Sequence, residues 1–92
     1  MITAIVFVKA DVARIPEVAE EIAALDGVSE VYSVTGQIDL IALVRVSHHD
    51  DVASVVADRL NKVDGVTSTE THIAFRTYSK HDLEAAFSLG LD

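Results

Sequence analysis

The chain is 92 residues long, half of them hydrophobic, with a formal net charge of −8 and no cysteine. It is one domain's worth of sequence, without disulfides or thiolate metal sites, and its seven scattered Lys and Arg form no basic stripe for a phosphate backbone or an anionic membrane. No apolar run approaches the ~20 residues of a membrane span and no basic segment precedes an apolar one as in a signal peptide, so the chain reads as complete and cytoplasmic.

The first predicted element is a strand over residues 2–9, ITAIVFVK, a β-branched run. Ile2, Ala4, Val6 and Val8 share one face, while Thr3, Ile5, Phe7 and Lys9 share the other. A helix follows over 15–26: Ile15, Val18, Ala19, Ile22 and Leu25 form an i, i+3, i+4, i+7 stripe. Pro16 suits its first turn, and Glu17, Glu20 and Glu21 suit the positive end of its dipole. Gly27 is expected to end it as a left-handed residue. Residues 28–34 read as a second strand, 35–37 as a turn and 39–46 as a third strand. A second helix is predicted over 50–63, with Val52, Val55, Val56, Leu60 and Val63 on one stripe and Gly65 as its stop. Residues 66–75 form a fourth, β-branched strand.

A weak internal repeat supports this order. IVFVKAD (5–11) aligns with IALVRVS (41–47), and LDGVS (25–29) with VDGVT (63–67). Two strand–helix–strand units give β-α-β-β-α-β, a ferredoxin-like α+β fold. With right-handed crossovers, both helices cover one face of a four-stranded antiparallel sheet. The other face stays apolar, with Ile5, Phe7, Ile41, Leu43, Ile73 and Phe75, or the opposite set. A patch of this kind marks an interface, and a domain this small buries only about 60–65% of its unfolded surface. Dimerisation through the sheets is therefore expected. Residues 1–78 form this domain. Residues 79–92 are read as a helical tail, with Ser79 and Asp82 as a shortened capping pair and Leu83 and Phe87 available for an oligomer contact.

The segment DGVSEVYSVTGQIDLIALVRV, followed by a helix and VDGVTSTETHIAF, resembles the effector-binding domain of the Lrp/AsnC (feast/famine) transcription regulators over residues 2–76. The Gly-x-x-Asp after a strand carries the likeness together with the Gly-Val and Thr-x-Thr of the last strand. Two features depart from the family pattern. The first strand begins at Ile2 without a preceding helix-turn-helix, which implies a stand-alone version. Ile38 also stands where the family often has an aromatic, which alters the pocket. The resemblance implies sheet-to-sheet homodimers assembled into an octamer or similar ring. It implies a small effector, usually an amino acid, held between dimers. No cofactor is expected. By position, the effector would meet Gly36, Gln37, Ile38 and Asp39 from the loop, and Thr69, Thr71, His72 and Ile73 from the last strand.

The residues themselves leave two readings of Asp39. A carboxylate at the mouth of a buried strand can meet a ligand ammonium, or it can close a turn by accepting backbone N–H bonds. Gly36 suits a positive φ, and N–H groups in such a turn can receive a carboxylate. His72 is either a hydrogen-bonding pocket residue or a solvent-facing strand residue. His48 and His49, being adjacent, do not share a helix face, and His81 falls in the tail. The four histidines lack ligand spacing for zinc. No nucleophile–base pair and no Gly-rich phosphate loop is visible.

The leading expectation is thus a non-enzymatic amino-acid-sensing module, without direct nucleic-acid binding, that co-assembles with helix-turn-helix relatives. A cofactor-free monooxygenase or isomerase on the same dimeric architecture is the alternative; five aromatics would furnish its cavity poorly. An ACT-like amino-acid-binding domain is a third reading.

Overall fold

A computed structural model describes residues 1–80. The order is β1 (Ile2–Ala10), a 3₁₀ turn (Val12–Arg14), α1 (Ile15–Ala23), β2 (Val28–Ser33), β3 (Leu40–Val46), α2 (His49–Val56), a second 3₁₀ turn (Leu60–Lys62) and β4 (Val66–Ile73). The sheet runs β2-β3-β1-β4, and each neighbouring pair is antiparallel. This is the expected ferredoxin-like arrangement. The helix expected over 79–92, with Asp82, Leu83 and Phe87, and the placement of His81 fall from residue 81 onward outside the described residues.

Alternation in β1 and β3 builds the core. Ala4, Val6 and Val8 lie beside Leu40, Ala42 and Val44, and bury against Val18 and Ile22 of α1, Val52, Val55 and Val56 of α2, and Leu60. Both helices therefore cover the same face. No polar side chain is buried with them among the described residues, so burial of apolar surface, about 25 cal/mol per Å², holds the layers together.

Both helices are shorter than their stripes predict. α1 ends at Ala23, and Gly27 is not its left-handed stop. Gly27 (φ 92°) is instead the third residue of a tight turn in which Val28 N–H donates to Leu25 C=O at 3.2 Å. Gly65 (φ 103°) repeats this device, with Val66 N–H donating to Val63 C=O at 3.1 Å. The helix expected over 50–63 is likewise broken: α2 stops at Val56, and the chain tightens into the 3₁₀ turn that seats Leu60 in the core. β2 and β4 end at Ser33 and Ile73, short of the expected 34 and 75.

The uncovered face also needs a correction in β4. Ile5 pairs with Leu43 and with His72, and Phe7 with Ile41 and with Glu70. Directly opposed residues share a face, so β4 offers Glu70 and His72 there. Ile73 faces Ala4 on the helix side, where its edge strand leaves it exposed. Phe75 lies beyond the strand and is fully exposed. A bulge at Ser29 puts Glu30 opposite Leu43 and Tyr32 opposite Ile41. The face is thus an apolar centre of Ile5, Phe7, Ile41 and Leu43 with a polar and charged border.

Candidate effector site

The loop joining β2 to β3 is closed by its own backbone. Val34 N–H donates to Asp39 C=O at 3.1 Å, and Asp39 N–H donates to Val8 C=O at 3.0 Å. Gly36 sits at its tip with φ 108°. An added Cβ there would meet nothing within 4 Å, so the residue answers to backbone conformation rather than crowding. Gly36 and Gln37 are exposed, while Ile38 and Asp39 are half-buried.

Asp39 places its carboxylate on another strand. Its Oδ2 accepts the Ala10 N–H at 2.9 Å. The β1–β3 ladder ends at Val8, so this side chain supplies the acceptor that the backbone of β3 no longer offers. A bulge lies on the opposite side of β1: Lys9 pairs with Ser68 and Ala10 with Val66, leaving Thr67 unpaired, with its hydroxyl donating to Lys9 C=O at 3.0 Å. The backbone-accepting reading of Asp39 is therefore present in the structure, although the N–H belongs to β1 rather than to its own turn. The other carboxylate oxygen forms no hydrogen bond with a described residue.

The β4 residues divide between the two faces. Thr69 lies opposite Val8, Thr71 opposite Val6 and Ile73 opposite Ala4, all on the helix side. Thr69 donates its hydroxyl to Asn61 Oδ1 at 2.7 Å. His72 points the other way, its ring 5.1 Å from Phe7 at 55° and its Nε2 3.4 Å from Glu70 Oε2. Val8 is flanked by Leu40 and by Thr69, so the Asp39 loop and Thr69 share one end of the sheet, about 10 Å apart across β1. Thr71, His72 and Ile73 step away along β4. Within one protomer the eight residues do not converge: a depression of about 220 Å³ takes in Thr69 and Asn61 but none of the loop.

Sequence reasoning missed Asn61, whose partnership with Thr69 spans a turn without periodic signal. It also missed Glu70 beside His72 and the pair Glu30–Tyr32, which strand parity could have found only with the bulge known. Tyr32 has its phenol pKa pushed above 10.0, first by its hydrogen bond with Glu30, then by desolvation and by that carboxylate's charge, with Arg45 pulling it back. Among the described residues, no group of three or more His, Asp or Glu could hold a metal ion, and no helix is long and apolar enough to cross a membrane.

Comparison with known proteins gives this geometry its context. An HTH-type transcriptional regulator of Pyrococcus horikoshii is 43% identical over 61 residues, 66% of this chain and 41% of that protein; the chain spans about two fifths of such a relative's length. The crystal structure of TTHA0845 from Thermus thermophilus superposes with a TM-score of 0.82 at 44% identity, covering 87% of this chain and 100% of that one. The transcriptional regulator NMB0573 of Neisseria meningitidis, solved as an L-Met complex, shares the fold at a TM-score of 0.75 and 18% identity, over 85% of this chain and 52% of that one. The model of the Lrp/AsnC ligand-binding domain matches residues 3–83, and with the sheet order, the paired glycine turns and the Gly36–Asp39 loop in place, the chain belongs to the Lrp/AsnC family through its ligand-binding domain.

Proposed function

We propose that this chain is a non-enzymatic regulatory module that binds an amino acid at a contact between copies of itself. The observation that carries the reading is the half-engaged carboxylate of Asp39. One oxygen is spent on Ala10 N–H, and the other forms no hydrogen bond with a described residue, in the same loop as the exposed Gly36. An ammonium suits that oxygen, and the turn's N–H groups suit a carboxylate. Gln37 and Ile38 lie in the same loop. Because Thr69, Thr71, His72 and Ile73 do not reach the loop within one protomer, they meet it from a neighbouring chain in this reading. The L-Met bound by the Neisseria relative supports the ligand class.

The uncovered sheet face supplies the dimer contact. Its centre of Ile5, Phe7, Ile41 and Leu43 is bordered by Glu30, Arg45, Glu70 and Lys9, the apolar core and polar rim of a protein interface. Dimers then associate into an octamer or similar ring, with the effector between them. Co-assembly with helix-turn-helix relatives would couple effector binding to transcription, in keeping with the names of the similar proteins. A thermal-shift screen of the twenty amino acids tests the proposal. A ligand at 100 times its dissociation constant adds about 2.7 kcal/mol, which raises the midpoint of a domain this size by roughly 10–20 °C. No shift with any of them at millimolar concentration overturns the amino-acid reading.

A further inference from the structure

The two halves of the repeat fold into equivalent corners, and only one of them is filled. At the Gly65 turn, an added Cβ would lie 2.7 Å from Val18 Cγ2 and 3.2 Å from Arg14 Nε. The Arg14 side chain therefore packs into that corner. Its Nη2 lies 3.7 Å from Glu21, and its Nε is buried without a hydrogen bond. At the Gly27 turn, an added Cβ would lie 2.7 Å from Val55 Cγ2 and 3.3 Å from Val46 Cγ1. The glycine is again required for close approach, and Val55 takes the role of Val18. No arginine plugs this second corner. It is a cleft of about 290 Å³ over Val46 and Val55.

The charges around the cleft are of both signs. Asp26 comes from the α1–β2 turn, Asp51 from the first turn of α2, and Arg59 from just past the end of that helix. At the offset that sets Val55 against Val18, Asp51 stands where Arg14 does and Asp58 where Glu21 does, while Arg59 lines the cleft one residue further on. Unlike Arg14 and Glu21, Asp51 and Arg59 form no ion pair with each other in the structure. Ser47 and Ser54 add hydroxyls, although Ser54 is turned toward Asp50 C=O at 3.4 Å. Asp51 and Ser54 are half-buried, so a ligand here would meet partly desolvated groups.

We infer that the Gly27 corner is a ligand site for a small molecule bearing a guanidinium or ammonium on an aliphatic stem together with a carboxylate, the chemistry of a free basic amino acid. The cation replaces in trans what Arg14 supplies in cis at the Gly65 corner, facing Asp51 and Asp26. The stem lies on Val46 and Val55, and the carboxylate pairs with Arg59. The excess of one carboxylate in the lining favours a ligand with net positive charge. An α-ammonium alone, adjacent to its own carboxylate, cannot serve Asp51 and Arg59 at the two ends of α2, whereas a cation at the end of a side chain can. The site is separate from the Asp39 loop, since β3 lies between them, about 23 Å at ~3.3 Å per residue. It stands whether or not that loop binds an effector.

The test is an amide chemical-shift titration of the intact protein with L-arginine. Shifts are expected at Gly27, Ser47 and Ser54, saturating at millimolar concentration. Agmatine, which lacks the carboxylate, should bind more weakly, and L-alanine should leave these amides unmoved. Asp51→Asn should weaken arginine binding about 10-fold or more. Asp51→Arg should abolish it by plugging the corner from within. Arg59→Gln should bring arginine down to the affinity of agmatine. No shifts at these amides, or arginine binding unchanged in Asp51→Asn, overturns the proposal. So does an Asp51–Arg59 ion pair that closes the cleft, read as tighter binding of arginine by Arg59→Gln than by the wild type.

Discussion

Replacing Asp39 separates what the residue does for the fold from what it does for a ligand. Its Oδ2 accepts the half-buried Ala10 N–H at 2.9 Å. A hydrogen bond to a charged acceptor contributes about 1.5–3 kcal/mol, discounted here because water reaches the site. Asp39→Ala leaves Ala10 N–H without its acceptor beside a bulge, so about 1–2 kcal/mol of stability should be lost. At roughly 4–8 °C per kcal/mol for a domain of this size, the thermal midpoint should fall by some 4–16 °C. Asp39→Asn keeps an oxygen for Ala10, so the cost to the fold should stay below about 1 kcal/mol. Effector affinity should respond differently. If the free oxygen meets an ammonium, Asn should lower affinity by about 1.5–3 kcal/mol, roughly 10- to 150-fold. Urea unfolding and isothermal titration of the same three proteins read the two effects apart. An unchanged urea midpoint in Asp39→Ala would refute the structural role, and equal affinities of wild type and Asp39→Asn would refute the ligand role.

Phe7→Glu or Leu43→Glu places a charge at the centre of the uncovered sheet face. A buried charge without a partner costs about 3–5 kcal/mol, so sedimentation should show the proposed dimer dissociated; a folded wild-type monomer at micromolar concentration contradicts the interface. Gly27→Ala should cost about 2–5 kcal/mol, because its Cβ would fall 2.7 Å from Val55 Cγ2 at φ 92° and crowding adds to backbone strain. Gly36→Ala meets nothing within 4 Å, so only the strain of about 1–2 kcal/mol remains, and equal urea midpoints for the two variants would contradict the packing of the turns. In a Tyr78→Phe background, ultraviolet titration of Tyr32 should have its midpoint above 10.0, and Glu30→Gln should lower it. A phenol held neutral in the folded state favours folding below its unfolded pKa, and that contribution is lost as pH rises through the folded value.

Much of the fold was legible because period-two and period-3.6 patterns are local properties of the chain. β1 and β3 alternate so regularly that Ala4, Val6, Val8, Leu40, Ala42 and Val44 could be assigned to one face together. The repeated Asp-Gly-Val pointed to two glycines of left-handed backbone, since only glycine enters φ near +90° without cost, although they close tight turns rather than end the helices as expected. Family resemblance supplied the candidate loop. Tertiary structure decided what depends on two distant segments at once. No Gly or Pro stands between Val56 and Leu60, so nothing local ends α2 there. The chain tightens because Leu60 has to reach the core while β4 must start beside Ala10. The bulges at Ser29 and Thr67 reset which residues share a face, which is why His72 and Glu70, rather than Ile73, join Phe7. Asp39 shows the division most directly. Its position in the sequence announced an unusual carboxylate, but its partner, Ala10 N–H, exists only where the β1–β3 ladder stops and the bulge begins.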